Sequence, residues 1–310
     1  MKYAVTDIGS NTIRLTIYEM KDGHPQVLMK KKSQAGLADY IDQSVMSEEG
    51  IWRLIRVLNS FQGIYRFFQV DNNFLFATAA VRNAKNKNTI LAKVKEATGL
   101  SIDLISGPME AELGYLGVQS SFNLDTGVHV DIGGGSTEIL IHKKGQILYK
   151  NSLDEGSLSL YRSNVERIFP TKEEVKAIRI LMREKLQDLD MDLENIPYQI
   201  VGVGGTIRAC NNLCGDLFGR EEISYNADSE DHQGIFSMAE VKQVVKGLRK
   251  FDPLYVRSVL HICPSRIHTI TPGMIILQEV ARVFHCKEIF VSNRGVREGY
   301  LLWRLNHEGK

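Results

Sequence analysis

Two short stretches of this sequence place a carboxylate directly before a run of small residues. The first is Asp7-Ile8-Gly9-Ser10-Asn11-Thr12, at the end of an apolar strand pattern. A strand that ends in Asp and turns through Gly-Ser brings a carboxylate and several backbone N–H groups to one point. Glycine lets that backbone approach an anion with no Cβ in the way. A plain hairpin turn explains the same residues equally well, because Asp, Gly, Ser and Asn are all favoured in turns for local reasons. The second stretch, Asp131-Ile132-Gly133-Gly134-Gly135-Ser136-Thr137-Glu138, is more specific. Three consecutive glycines lose backbone entropy on folding and weaken a strand pair, so they make sense where a phosphate lies against bare backbone. Asp131 before the loop and Glu138 after it offer hard oxygen ligands, which suit Mg²⁺ held together with substrate phosphates. The loop has neither the Gly-Lys-Ser/Thr ending of a P-loop nor a helix after it, which also removes a dinucleotide fingerprint.

A third glycine turn, Gly204-Gly205-Thr206, leads from a strand pattern into a helix, with Arg208 one turn in. Helix N-termini bind anions through unpaired N–H groups and the macrodipole, although a simple strand-to-helix turn accounts for this motif alone equally well. Ser106-Gly107-Pro108-Met109-Glu110 joins another strand to a helix. Pro108 fits the first helical position and Glu110 the first turn, where the dipole favours an acid whether or not it does chemistry.

The elements that must position these residues alternate in the first third of the chain. Tyr3–Thr6, Arg14–Met20 and Gln26–Lys32 read as strands, the last two joined by a turn over residues 21–25. Ser47 is a suitable N-cap for a long helix whose apolar face is Ile51, Leu54, Ile55 and Leu58. Asn73–Thr78 reads as a strand, Thr89–Thr98 as a helix closed by Gly99, Ser101–Ile105 as a strand, and a helix runs from about Met109. The pattern then restarts. Asp7, Ile8, Gly9 and Ile17 fall on Asp131, Ile132, Gly133 and Ile141 at one common offset, and Arg14 falls on Glu138. Two such strand-loop-strand openings predict an internal duplication, with similar domains at about 1–123 and 124–310. The final helix, about 296–310, is expected to pack back onto the first domain. The second half reads as more helical, with helices at Glu173–Leu189, after Gly205, at Ser237–Phe251, Pro272–His285 and Gly295–Leu305, and strands at Gln199–Val203 and Glu288–Val291.

Composition narrows the classes. With 310 residues, 43% hydrophobic and 24% charged, the chain falls in the soluble globular class. A formal net charge of +1 argues against holding nucleic acid by bulk charge, so a polyanion would be gripped locally. Lys30, Lys31 and Lys32 form the one dense basic run and read as a solvated strand end. No apolar run approaches the roughly 20 residues of a membrane span. Cys210, Cys214, Cys263 and Cys286 show no paired framework, so reduced cytoplasmic thiols are expected.

Six motifs, in order, resemble the Ppx/GppA phosphatase family. They are Asp7 to Leu15, Ala77 to Asn86, Ile105 to Glu112, the triple-glycine loop through Glu138, Gly202 to Arg208, and Val291 to Gly299. The resemblance covers essentially the whole chain. It implies an α/β fold of duplicated actin/Hsp70/sugar-kinase-like (ribonuclease H-like) domains facing each other across a cleft. It also implies release of terminal phosphate from polyphosphate or guanosine pentaphosphate with Mg²⁺. Carried over, Glu110 is the catalytic carboxylate that activates water, and Asp131 and Glu138 hold the metal with Asp7 nearby. Ser10, Asn11, Gly133, Gly134, Gly135, Ser136, Gly204, Gly205 and Thr206 cradle phosphate. Arg14, Arg82, Arg208 and Arg266 are counter-charges, and His232, beside Asp231, is a candidate lining residue.

The chain departs from the family at several points. Met109 stands where relatives often carry an acid, Glu112 where Arg is common, Arg266-Ile267-His268 replaces an Arg-Ala-Asp run, and Arg294 replaces an aromatic or small residue. The sequence also ends where longer relatives continue into an all-helical HD-type domain, which favours short polyphosphate or a nucleotide as substrate. A homodimer is compatible with this reading; neither nucleic acid nor a membrane is an expected partner. Two other readings share the glycine loops: an actin-like small-molecule kinase or ATPase, and a non-catalytic alarmone or polyphosphate binder.

Overall fold

The structure is a computed structural model and describes residues 1–21, 24–120, 124–187, 199–219 and 234–308. The chain divides into two compact units, Met1–Gly117 with Val296–Lys310, and Val118–Gly295.

In the first unit the strands are β1 (Lys2–Ile8), β2 (Thr12–Lys21), β3 (His24–Gln34), a short pair β4 (Ile41–Asp42) and β5 (Val45–Met46), β6 (Asn72–Ala77) and β7 (Asp103–Leu104). The main sheet has the order β3-β2-β1-β6-β7, with β1 antiparallel to β2 and parallel to β6. One face carries Ile8, Ile13, Leu15 and Ile17 against α1 (Glu48–Phe68) and α3 (Lys87–Thr98). The expected Ser47 cap is present, its hydroxyl accepting from the Gly50 N–H at 3.2 Å, and Gly99 ends α3 in the left-handed region at φ 72°. A four-residue helix, α2 (Ala79–Arg82), sits between β6 and α3.

The other face carries Tyr3, Val5, Tyr18, Phe74 and Phe76 against α4 (Gly107–Gln119) and the last helix, α11 (Val296–Glu308). Tyr18 donates to the Glu298 carboxylate at 2.5 Å in a buried pair. Burial first, and the Glu298 charge second, hold its phenol protonated well above the usual range. Arg297 donates to Thr16 Oγ1 at 2.8 Å, and Tyr300 hydrogen-bonds Asp103.

The second unit contains β8 (Thr126–Ile132), β9 (Thr137–Lys143), β10 (Gln146–Leu153), β11 (Gln199–Val203), β12 (Gly234–Ser237) and β13 (Glu288–Val291). Their order is β10-β9-β8-β11-β13-β12. Its first five positions repeat the first sheet: an antiparallel meander, then two strands parallel to the first. β12 is added antiparallel at the edge. This is a duplicated actin-like α/β fold. The core lies between one sheet face and the helices α5 (Ser157–Asn164), α6 (Lys172–Lys185), α7 (Gly204–Phe218), α8 (Met238–Arg249), α9 (Pro253–Ile262) and α10 (Ile270–Val283). Helix α6 covers the predicted amphipathic segment through Lys185; its expected last residues, 188 and 189, lie outside the described residues, as do Asp231 and His232.

Several elements escaped the sequence reading, among them α2 and the short pair β4 and β5 in the first unit and three in the second. Helix α5 is only eight residues long, α9 follows closely on α8, and β12 is a short edge strand. Conversely, the expected strand Ser101–Ile105 shrinks to Asp103–Leu104, because only those residues pair with β6. Among the described residues no helix is long and apolar enough to cross a membrane. The four cysteines are unbridged, and Cys210, Cys214 and Cys263 are buried.

Helices α4 and α11 approach so closely that a Cβ on Gly299 would lie 1.8 Å from the Leu113 carbonyl oxygen. In an isolated helix, Gly→Ala stabilises by about 1 kcal/mol. Here the clash with main chain outweighs that gain, so Gly299→Ala is expected to destabilise by about 1–3 kcal/mol. Urea unfolding measures it, and a stabilised variant would contradict the helix contact.

Candidate functional site

Each unit builds a hairpin whose first strand ends in the aspartate picked out by sequence. In the first, Asp7 stands opposite Arg14 in the β1–β2 register, and their side chains form an ion pair at 3.5 Å. In the second, Asp131 stands opposite Glu138 between β8 and β9. The loops close identically: the Gly9 N–H donates to Thr12 O at 3.2 Å, and the Gly133 N–H donates to Ser136 O at 2.9 Å. A Cβ on Gly9 or Gly133 would stand 3.1 Å from the same carbonyl. The duplication read from the sequence is therefore present at the level of single hydrogen bonds.

Both loops are then tied back by the chain that follows the third strand. Ser10 O accepts from the Ala38 N–H and Asn11 O from the Gly36 N–H, each at 2.9 Å. Gly36 sits in the left-handed region at φ 59° to make that turn. In the second unit, Gly133 O accepts from the Ser157 N–H, and Gly134 O accepts from the N–H groups of Leu158 and Ser159, at 2.8–3.0 Å. The first turn of α5 thus spends its N–H groups on the loop carbonyls. Gly156 makes this possible, since a Cβ there would lie 2.5 Å from the Gly134 carbonyl carbon and oxygen. The carbonyls of each loop are thus drawn onto the segment that follows its third strand. Among the described residues no backbone carbonyl accepts from the N–H groups of Ser10, Asn11, Gly134 or Gly135. The glycine run therefore has two physical reasons, close packing against Gly156 and an amide edge with no backbone acceptor. The sequence revealed only the second.

Glu110 occupies the first turn of α4, as expected, although the helix begins at Gly107 rather than at Pro108. It is buried, and Arg82 at the end of α2 donates to its Oε2 at 2.8 Å and to Ile105 O at 3.4 Å. Arg82, read as a phosphate counter-charge, is thus the partner that orients Glu110. Neighbouring Met109 packs into the apolar cluster under α4 and α11.

The third glycine turn is the start of α7 itself. Gly204 is its first residue, at φ 84°, and a Cβ there would stand 2.1 Å from Asp131 Oδ1. Thr206 is buried in the same turn, and Arg266 approaches its Oγ1 at 3.5 Å from the short 3₁₀ turn at Pro264–Arg266. Arg208 lies further along α7, partly exposed. Gly273 in α10 packs on Thr206, with a Cβ position only 2.4 Å from its Cγ2.

Asp131 and Glu138 satisfy a simple test for a divalent cation. They are two carboxylates directly opposite in an antiparallel pair, where Cβ atoms stand about 5 Å apart. Glu138 is 1% exposed and is fixed by Ser152, whose hydroxyl donates to Oε1 at 2.7 Å. The bare Gly204 backbone lies against Asp131. One or two carboxylates completed by substrate phosphate oxygens is a donor set that suits Mg²⁺. Among the described residues no three His, Cys, Asp or Glu side chains cluster as a metal site, and Asp7 is paired with Arg14 in the other unit.

The two matching sheets and hairpin loops define a protein of the duplicated actin-like class. Residues 16–308 match the Ppx/GppA phosphatase family, and the chain belongs to it. It is 28% identical to a bifunctional 3-dehydroquinate synthase/phosphatase of Fusobacterium nucleatum, over 96% of this chain but 46% of that one. It is 25% identical to a putative exopolyphosphatase of Haemophilus influenzae, over 96% of this chain and 90% of the relative. The crystal structure of the Aquifex aeolicus Ppx/GppA family member superposes with a TM-score of 0.82 at 27% identity, covering 100% of this chain and 99% of that one.

The Gly156 contact generates a prediction. Its φ of −129° is open to any residue, so Gly156→Ala tests the packing alone. The variant is expected to lose about 1–3 kcal/mol of stability by overpacking. It should also bind inorganic phosphate more weakly, as followed by calorimetry. Unchanged stability would mean that α5 does not clamp the loop.

Proposed function

We propose that this protein is a phosphoanhydride hydrolase that releases terminal orthophosphate from inorganic polyphosphate or guanosine pentaphosphate. The observation that carries the reading is the pair of loops whose carbonyls are tied back and whose amide edges are left to an anion. Phosphoryl transfer asks little covalent chemistry of a protein. It asks for a positioned nucleophile and positive charge around the non-bridging oxygens.

In this reading each unit offers its own phosphate-binding edge: the amides of Ser10 and Asn11 in the first, and in the second those of Gly134 and Gly135, with Gly204, Gly205 and Thr206 adding the N-terminus of α7. Arg14, Arg208 and Arg266 supply counter-charge. The Glu110 carboxylate, held by Arg82, takes a proton from water as its oxygen attacks phosphorus. The bond to the bridging oxygen breaks, and the shortened chain leaves with the electron pair. Asp131 and Glu138 would hold Mg²⁺, which when bound neutralises charge on the phosphate oxygens. The unbridged thiols fit a reducing compartment, and we place the activity in the cytoplasm.

Orthophosphate release from tripolyphosphate, long polyphosphate, guanosine pentaphosphate and ATP tests this directly. Wild type with Mg²⁺ is expected to hydrolyse at least one of the first three, and chelation should abolish release. Glu110→Gln is expected to lower kcat by roughly 10²–10⁴-fold, the usual contribution of a general base. Turnover of ATP alone, or an unaffected Glu110→Gln variant, would overturn the assignment.

A further inference from the structure

A single buried carboxylate in the second unit organises three arginines well away from the glycine loops. Glu279 on α10 is 3% exposed. Its Oε2 accepts from Arg183 Nε at 2.8 Å and from Arg282 Nε at 2.9 Å. Its Oε1 lies 3.4 Å from Arg183 Nη2 and 3.6 Å from Arg179 Nε. Arg179 is held from its far side as well, donating through Nη2 to Gln278 Oε1 at 2.7 Å. Three guanidinium groups around one carboxylate leave the cluster with a positive excess.

The geometry gives that excess a direction. Arg183 and Arg282 are moored through Nε to the same oxygen, so two like charges stand side by side. Their side chains remain about half exposed, at 50% and 53%. Beside them opens a cavity of about 260 Å³ lined by Arg183, Leu186, Gln187, Arg282, Val283 and His285. Two guanidinium forks, an amide and an imidazole around one small space are donors suited to a tetrahedral oxyanion. The volume falls below the roughly 300–1,000 Å³ of sites for drug-sized ligands.

We propose that this cavity is a second phosphate-binding site, taking orthophosphate or the end of a short inorganic phosphate chain. Its position separates it from the glycine loops. Gly273 meets Thr206 near the start of α10, and Arg282 lies nine residues further along, roughly 13 Å at 1.5 Å per residue. One effect opposes an anion here, because α6 and α10 both end beside the cavity. Each helix C-terminus carries only about half a negative charge, and that field fades within the last turn. The excess of whole charges on the arginines outweighs it. The site does not rest on the hydrolase reading, since phosphate can bind there whether or not this chain produces it.

The test uses the whole protein without added metal and follows the His285 ring resonances by NMR, assigned with a His285→Asn variant. Orthophosphate, pyrophosphate and tripolyphosphate are titrated separately, with sodium chloride at matched ionic strength as the control. A saturable shift with at least one phosphate and none with chloride is expected, weakened at least tenfold in both Arg282→Gln and Arg183→Gln. Circular dichroism checks that the variants are folded. Tightest binding of orthophosphate would identify a free-phosphate site, and tightest binding of the longer anions a chain-end site. Absence of a saturable shift, an equal response to chloride, or undiminished binding in either folded variant would overturn the proposal.

Discussion

The hydrogen bonds that pull the loop carbonyls backward are the constraint on which the rest of the candidate site depends. A tight hairpin loop carries carbonyls and amides in nearly equal number, and an anion is repelled by the first as strongly as it is attracted by the second. Drawing Ser10 O and Asn11 O onto the segment at 36–38, and Gly133 O and Gly134 O onto the start of α5, removes that conflict. The same bonds fix the loop relative to the strand end that bears the aspartate. The loop closure, Gly9 N–H to Thr12 O and Gly133 N–H to Ser136 O, is the same in both units, while the tie-back falls one loop position earlier in the second.

The two copies then diverge by single substitutions within a shared frame. Position for position, Arg14 in the first hairpin becomes Glu138 in the second. The first aspartate is therefore neutralised by a cation across the strand pair, while the second faces another carboxylate. Like charges directly opposite in a β-ladder are destabilising, so the second hairpin carries a different electrostatic load from the first. Ser152 supports Glu138 from the third strand, and the Gly204 backbone fits against Asp131. The duplicated hairpin thereby carries different charges in its two copies.

The helices show the same economy of close approach. Glycines at 156, 273 and 299 each stand where another segment comes within a distance that a Cβ would forbid. Gly156 sets the clamp on the triple-glycine loop, and Gly273 brings α10 to Thr206. Gly299 brings α11 onto α4, the helix that carries Glu110. Packing in these places acts on the site through backbone contact rather than through polar groups.

By itself the sequence determined the duplicated strand-loop-strand, the carboxylates that flank it, the N-cap at Ser47, and the placement of Glu110 in a first helical turn. These are written in short-range patterns: periodicity, turn chemistry and one repeated offset. Only the tertiary structure decided which partners those residues acquire. The family resemblance offers Arg82 as a counter-charge, and the fold joins it to Glu110, twenty-eight positions along the chain. Helix α5 is too short to announce itself by periodicity, although it holds the glycine loop. Arg179 and Arg183 lie about a hundred residues before Glu279. Residues so far apart are joined only by packing of sheets and helices, and no local pattern records which of many possible partners a charge will meet.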